Sequence, residues 1–278
     1  MRSDLAAFGA VFLWASLATL GAALDHLPPL LITGFALLIG SMIALPLAGF
    51  RLRNMKVRPT VLAFGVYGLF GYHVALFAGL QSAPAVQANL VNYLWPLLIV
   101  LLAPLFIPGA RLTPRLVTGG LAGFAGAALA ILSGTQLTGA FEPGYLWAAL
   151  AAVIWSTYSL GTKRLGNFPT AAVGLFGIAA GLLSLALFFA TGGTAELTLS
   201  DWIWLAALGL GPLGGSFFLW DYALKSGDAQ RIGLIAFLTP LLSTLMLLIF
   251  TGSPISPLLL LAAGLIIGGA ALGAKVNN

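Results

Sequence analysis

Along this chain, apolar runs of about twenty residues, the length at which a helix spans ~30 Å of hydrocarbon, alternate with short breaks of proline, glycine and charge. The pattern predicts ten helices. The first two run near residues 4–24 and 28–49, parted by Asp25-His26-Leu27-Pro28-Pro29; the third and fourth run near 59–81 and 84–107, parted by Ser82-Ala83-Pro84. The fifth starts after Thr113, an N-cap followed by Pro114 at the first helical position, and ends near Ser133-Gly134. The sixth opens at Glu142-Pro143 and reaches Lys163; the seventh follows Asn167-Phe168-Pro169 and ends near Gly192-Gly193. A Ser200 cap opens the eighth, which ends near Lys225, and the ninth occupies 229–251. The tenth starts at Ser256-Pro257 and ends at Lys275.

One stretch occurs twice. Shifted by 144 positions without a gap, Leu80 to Leu98 falls on Leu224 to Leu242, so that Leu80, Ser82, Ala85, Leu90, Leu94, Pro96, Leu97 and Leu98 meet identical residues and Tyr93 meets Phe237. In each copy a helix ends, turns within a few residues and gives way to a helix bent by proline, which lacks a backbone donor. With a local shift of 141, Leu13-Trp14-Ala15-Ser16 meets Ile154-Trp155-Ser156-Thr157. Five helices thus return as five, and an odd number inserts the second copy upside down. The expected fold is an all-α membrane protein, ten transmembrane helices in a 5+5 inverted repeat, with units 1–139 and 140–278 in one integrated domain. Inverted repeats mark secondary transporters, whose solute site lies near the midplane between the halves.

Composition strengthens the membrane reading: 60% of residues are hydrophobic and 7% charged, against roughly 25% charged in soluble domains. All 12 basic residues fall on one side of the ten-helix map: Arg2, Arg51, Arg53, Lys56, Arg58, Arg111, Arg115, Lys163, Arg164, Lys225, Arg231 and Lys275. The other side holds Asp25, Glu142, Glu196 and Asp201. Lys and Arg concentrate on cytoplasmic loops, so both termini are expected in the cytoplasm and the chain in the inner membrane. The same topology accounts for the pI near 9.8 without a nucleic-acid partner. The apolar run from Leu5 lacks a small-residue cleavage site and reads as a first helix, not a removed signal. There are no cysteines.

No phosphate-cradling GxxxxGK[ST] loop, metal-spaced cluster or Ser-His-acid set occurs, so neither a catalytic residue nor a cofactor or metal is expected. Rings of like charge, which would favour a channel, are also missing. Polar groups kept inside a bilayer face protein or water. Asn89, Tyr93 and Pro96 share a face of the fourth helix, with Asn92 and Trp95 close by. His73, followed by Phe77 and Gln81 on its face, reads either as a proton carrier or as a packed neutral ring. Trp14 and Trp155 occupy matching repeat positions deep in their helices; Tyr158 continues the face of Trp155, and Phe217, Trp220 and Asp221 share one on the eighth helix. Trp14, His73, Asn89, Tyr93, Trp155, Tyr158, Phe217 and Trp220 are the candidate solute contacts, core packing being the other reading. Asp221 and Lys225, spaced i, i+4, are expected to pair as a gate or anchor at the cytoplasmic end. Pro96 and Pro240 are expected as matched hinges. Glycines four apart at Gly119/Gly123, Gly264/Gly268 and Gly269/Gly273 predict close packing of helices five and ten, within one subunit or between two. The third and eighth helices, each broken by several glycines, read as moving parts.

The ten-helix plan, the position of Trp14 and the paired segments Ala85 to Leu98 and Ala229 to Leu242 resemble the drug/metabolite transporter superfamily in its EamA-type branch. Val91-Asn92-Tyr93-Leu94-Trp95-Pro96 is similar to the branch that exports aromatic amino acids. The resemblance implies efflux of aromatic amino acids and related metabolites through a cavity lined by helices one, three, four, six, eight and nine. It implies a small-molecule partner; a monomer or weak homodimer in the bilayer is expected. Small multidrug relatives exchange protons through a glutamate in their first helix; here that helix has no acid beyond Asp4. Multidrug export stays open as an alternative. So does nucleotide-sugar or organophosphate exchange, although only Lys163 and Lys225 come near the cavity as cations.

Overall fold

The computed structural model describes residues 2–132, 141–165, 168–251 and 256–274. Its helical segments are α1 (Arg2–Ala22), α2 (Pro29–Leu47), α3 (Pro59–Gln81), α4 (Ala85–Phe106) and α5 (Pro114–Leu132). They continue with α6 (Gly144–Leu165), α7 (Thr170–Ala190), α8 (Leu199–Ser226), α9 (Ala229–Ala236 with Leu238–Thr251) and α10 (Pro257–Ala274). The described residues contain no strand. Eight of the segments, α1 to α5 and α7 to α9, are long and apolar enough to cross a membrane. Segment α6 is 22 residues long but carries Ser156, Thr157, Ser159, Thr162, Lys163 and Arg164, whereas α10 is apolar but shorter.

The predicted ends hold to within a few residues; those placed at Ser133-Gly134, Asn167 and Lys275 lie outside the described residues. Thr113 caps α5 as expected, accepting from the Leu116 N–H at 3.3 Å. The cap of α8 is Thr198 and not Ser200, because Thr198 and Asp201 form a reciprocal capping box. The acid at N3 selects the residue three positions before it.

The repeat reappears as matching irregularities. Helix α3 contains a π segment at Tyr67–Gly71 and α8 one at Gly211–Gly215, 144 positions on. Helix α4 breaks at Tyr93 and α9 at Phe237, again 144 apart. The proline three residues later explains each break: it offers no N–H, and its ring would collide with the carbonyl four residues back in a continuous helix. The chain leaves helical geometry at Tyr93 (φ −67°, ψ 5°) and restarts, with Pro96 inside the new first turn.

Helix α2 packs on α7, α5 on α10 and α4 on α9; α1 packs on α8 and α9, just as α6 packs on α3 and α4. Exchanging the first five segments with the last five leaves this pattern unchanged. Helices α5 and α10 meet within one chain, so closely that a Cβ on Gly119 would lie 2.6 Å from the Gly269 carbonyl oxygen. Gly264 and Gly268 face open space and take no part in that contact, contrary to expectation. Large apolar side chains such as Leu105, Leu199 and Ile249 stand exposed on the outer surface, as a lipid-facing shell requires.

Candidate functional site

The centre of the bundle is a cluster of indole rings. Trp14, just before the point where α1 is interrupted at Ser16, lies 5.8 Å from Trp155, 5.9 Å from Trp95 and 5.0 Å from Trp220, centroid to centroid. Phe217 adds a face at 5.5 Å from Trp155 and 6.3 Å from Trp14. The matching repeat positions of Trp14 and Trp155 therefore converge on one contact at the interface of the halves.

Against this cluster lies a cavity of about 300 Å³, at the small end of metabolite sites. Trp14, His73, Asn89, Tyr93, Trp155 and Phe217, all expected as solute contacts, line it. Tyr158 and Trp220 stand behind the wall: Tyr158 packs on Trp155 at 5.4 Å and on Phe64, while Trp220 is 1% exposed and donates its indole N–H to Ser159 Oγ at 3.0 Å. They hold wall tryptophans in place.

The wall also contains Tyr72, Asn92, Trp95, Thr33 and Thr239. Asn92 and Trp95 sat in the polar and aromatic cluster already visible on the fourth helix. Thr33 and Thr239 gave no signal, because isolated threonines are common in membrane helices. Thr33, Ile32 and Pro29 bring α2 into the lining, an addition to the expected set of helices.

None of the wall residues is Asp, Glu, Lys or Arg. The His73 Nδ1–H donates to the Leu69 carbonyl at 2.6 Å, and since a carbonyl only accepts, the neutral ring keeps Nε2 as an acceptor. The Asn92 amide N–H donates to the Tyr72 phenol oxygen at 3.3 Å. Asn92 Oδ1 and the hydroxyls of Thr33 and Thr239, all buried, have no protein partner. A buried polar group left so costs about 1–3 kcal/mol.

Chain direction places the cavity in the half of the bundle next to the Asp25 loop, with Gly21 and Pro29 at its upper wall. The opposite, basic half is sealed. There Asp221 and Lys225 pair at 2.8 Å, 3% and 13% exposed, and the Thr170 hydroxyl donates to the same carboxylate at 2.7 Å. Lys225 Nζ also donates to the Phe168 carbonyl at 3.0 Å and lies 3.4 Å from the centre of that ring. Lys163 Nζ donates to the carbonyls of Leu224 and Gly227, and Arg231 pairs with Asp4 at 3.0 Å. These bonds tie α8 to the start of α7, α6 to the α8–α9 turn, and α1 to α9.

The family model described as the EamA-like transporter family matches residues 1–132 and, again, residues 142–273. An aromatic amino acid exporter of Ancylobacter novellus is 38% identical over 278 residues, covering 97% of this chain and 96% of that protein. A probable terminal-alkyne amino-acid exporter of Streptantibioticus cattleyicolor is 28% identical over 228 residues, covering 81% and 75%. One solved crystal structure, 37% identical, matches with a TM-score of 0.90 over 98% of this chain and 96% of the other.

Proposed function

This chain belongs to the EamA-like transporter family, and from that premise we propose that it is a secondary transporter exporting aromatic amino acids and related neutral metabolites across the bacterial inner membrane. The observation that carries the proposal is the charge-free cavity of Trp14, Trp95, Trp155, Tyr72, Tyr93 and Phe217, an aromatic wall with amide and hydroxyl groups set into it. Such a wall suits a solute with an aromatic body and no net charge. The similarity to an aromatic amino acid exporter and to a probable terminal-alkyne amino-acid exporter supports the same class. Organophosphate exchange is disfavoured because Lys163 and Lys225 are engaged at the sealed end and do not line the cavity.

Ten crossings in a 5+5 inverted repeat, with units 1–139 and 140–278, complete the reading. It draws support from the two family matches, the π segments and proline breaks at one offset, and helix pairings unchanged by exchange of the halves. With the basic end cytoplasmic, both termini are inside, the cavity faces outward, and the Asp221–Lys225 pair acts as part of the inner gate. Pro96 and Pro240 are the hinges about which the halves rock. The protein acts as a monomer or weak homodimer. Purified protein in liposomes tests the reading: aromatic amino acids should be taken up in preference to other amino acids, cationic dyes and sugar phosphates, compared with and without a proton gradient. Uptake of sugar phosphates or dyes alone overturns the assignment.

A further inference from the structure

The cations of the basic end fall into two sets. Lys163, Lys225 and Arg231 are bound to protein partners in the seal. Arg51, Arg53, Lys56 and Arg58, on the loop between α2 and α3, are all exposed, and among the described residues none of their side chains has a hydrogen bond or ion pair. The loop related to it by the repeat, between α7 and α8, carries Glu196 and no cation. Packing explains the arrangement. Met55, 1% exposed, and half-buried Val57 seat the loop on the core, which leaves the charged residues around them outside. The Asn54 amide donates to the Ala48 carbonyl at 2.9 Å and fixes the loop to the end of α2. Phe50 and Leu52, 77% and 70% exposed, flank Arg51. Phe50 stands at φ 57°, a conformation uncommon for an aromatic residue, held there by the bond from its N–H to the Leu45 carbonyl at 2.8 Å.

Water satisfies the four cations but not Phe50 and Leu52, and hydrocarbon does the reverse. The boundary of a bilayer leaflet satisfies both. The loop has one more contact: its turn Leu52–Met55 packs on Thr170–Ala172, the first turn of α7, and a Cβ on Gly174 would lie 3.2 Å from Met55 Cε. Thr170 is the residue that donates to Asp221 in the seal. We propose that the loop from Phe50 to Arg58 is a docking surface for anionic phospholipids of the leaflet at the basic end, and that lipid bound there braces the first turn of α7 and with it the closed gate. Arginine presents paired N–H donors that match phosphate oxygens, Lys56 adds a point charge, and a basic cluster directly beside a membrane helix draws anionic headgroups. Phe50 and Leu52 enter the acyl boundary beside them. The inference uses the gate of the proposed function and not its solute.

Hydrogen–deuterium exchange with mass spectrometry on the full-length chain in nanodiscs tests this, comparing phosphatidylcholine alone with an equal mixture of phosphatidylcholine and phosphatidylglycerol. Peptides covering the loop and the first turn of α7 should exchange at least about threefold more slowly in the anionic discs at low salt. The difference should close in about 1 M salt, where the screening length is about 3 Å. Arg53→Gln/Lys56→Gln, which touches no buried contact, should remove most of the protection. Arg111→Gln/Arg115→Gln, the same change of charge elsewhere at that end, should retain it. Both faces of a disc carry the same lipids and no solute is present, so neither the orientation nor the exporter reading falls with a negative result. If wild type shows no lipid-dependent protection, the docking surface is overturned. If the two double variants lose it equally, net charge and not this loop attracts the lipid, and the surface is again overturned. If the loop is protected and the α7 turn is not, the surface stands and the brace falls. Thermal melting checks that Arg53→Gln/Lys56→Gln folds; if it does not, the salt comparison on wild type decides, and protection that survives high salt overturns the surface.

Discussion

At the scale of single residues, the structure divides the tryptophans of the central cluster into those that face the cavity and one that supports them. Trp14 and Trp155 line the space, whereas Trp220 lies behind them with its N–H satisfied by Ser159. Replacement by phenylalanine should therefore act differently at the two kinds of site. Trp14→Phe should change solute preference and transport rate while the melting temperature moves little. Trp220→Phe should lower the melting temperature, as the loss of a buried hydrogen bond worth about 0.5–1.5 kcal/mol and of packing demands, with solute preference kept. Uptake and melting on the same preparations separate the two, and equal behaviour would dissolve the distinction. The Asp221–Lys225 pair makes a further prediction. Removing one partner leaves a buried charge alone, so Asp221→Ala should cost about 3–5 kcal/mol. Adding Lys225→Met should recover part of that loss, because the stranded ammonium is then gone.

At the scale of helices, the breaks matter more than the spans. The positions of most helices were legible because apolar runs of membrane length stand out, those of α6 and α10 from their place between polar breaks, and the two proline breaks because an ungapped repeat set them side by side. The π segments were visible only as glycine-broken stretches on helices three and eight; an extra residue in one turn leaves no signature in composition. Gly68 shows why that turn tolerates nothing larger, since a Cβ there would lie 2.1 Å from the Tyr158 ring. Tyr158 and Trp220 share faces with cavity residues, yet helical spacing cannot say how deep along a face the open space extends. Thr33 and Thr239 could not be picked out, because what distinguishes them is the absence of a partner, a property of packing. The prolines give the test at this scale. Pro96→Ala and Pro240→Ala each restore the missing N–H, so each should favour a continuous helix and slow transport while preserving or raising the melting temperature. Unchanged turnover in both variants would remove the hinge role.

At the scale of the whole molecule, the asymmetry between a cavity at one end and a bonded seal at the other calls for two states, because a solute crosses the bundle only if the sealed end parts. The chain has no cysteine, so introduced thiols report cleanly. Single cysteines at Ala195 and Asn54 should label from opposite sides of intact cells, Ala195 from outside; labelling from one side contradicts the orientation. The seal itself can be held shut. A Cβ on Gly227 would lie 2.7 Å from Ser3 Cβ, which brings the start of α1 against the α8–α9 turn at the closed end. With cysteines at both positions, a short bis-methanethiosulfonate reagent joins the two thiols through reducible disulfides, each thiol displacing methanesulfinate, once the two ends have shifted apart enough to admit it. Linked protein should still bind solute from the open side but lose transport, and reduction should restore it. Single-cysteine controls exposed to the same reagent should keep their rate. If linked protein transports as fast as reduced protein, the basic end is not the inner gate and the solute takes another route.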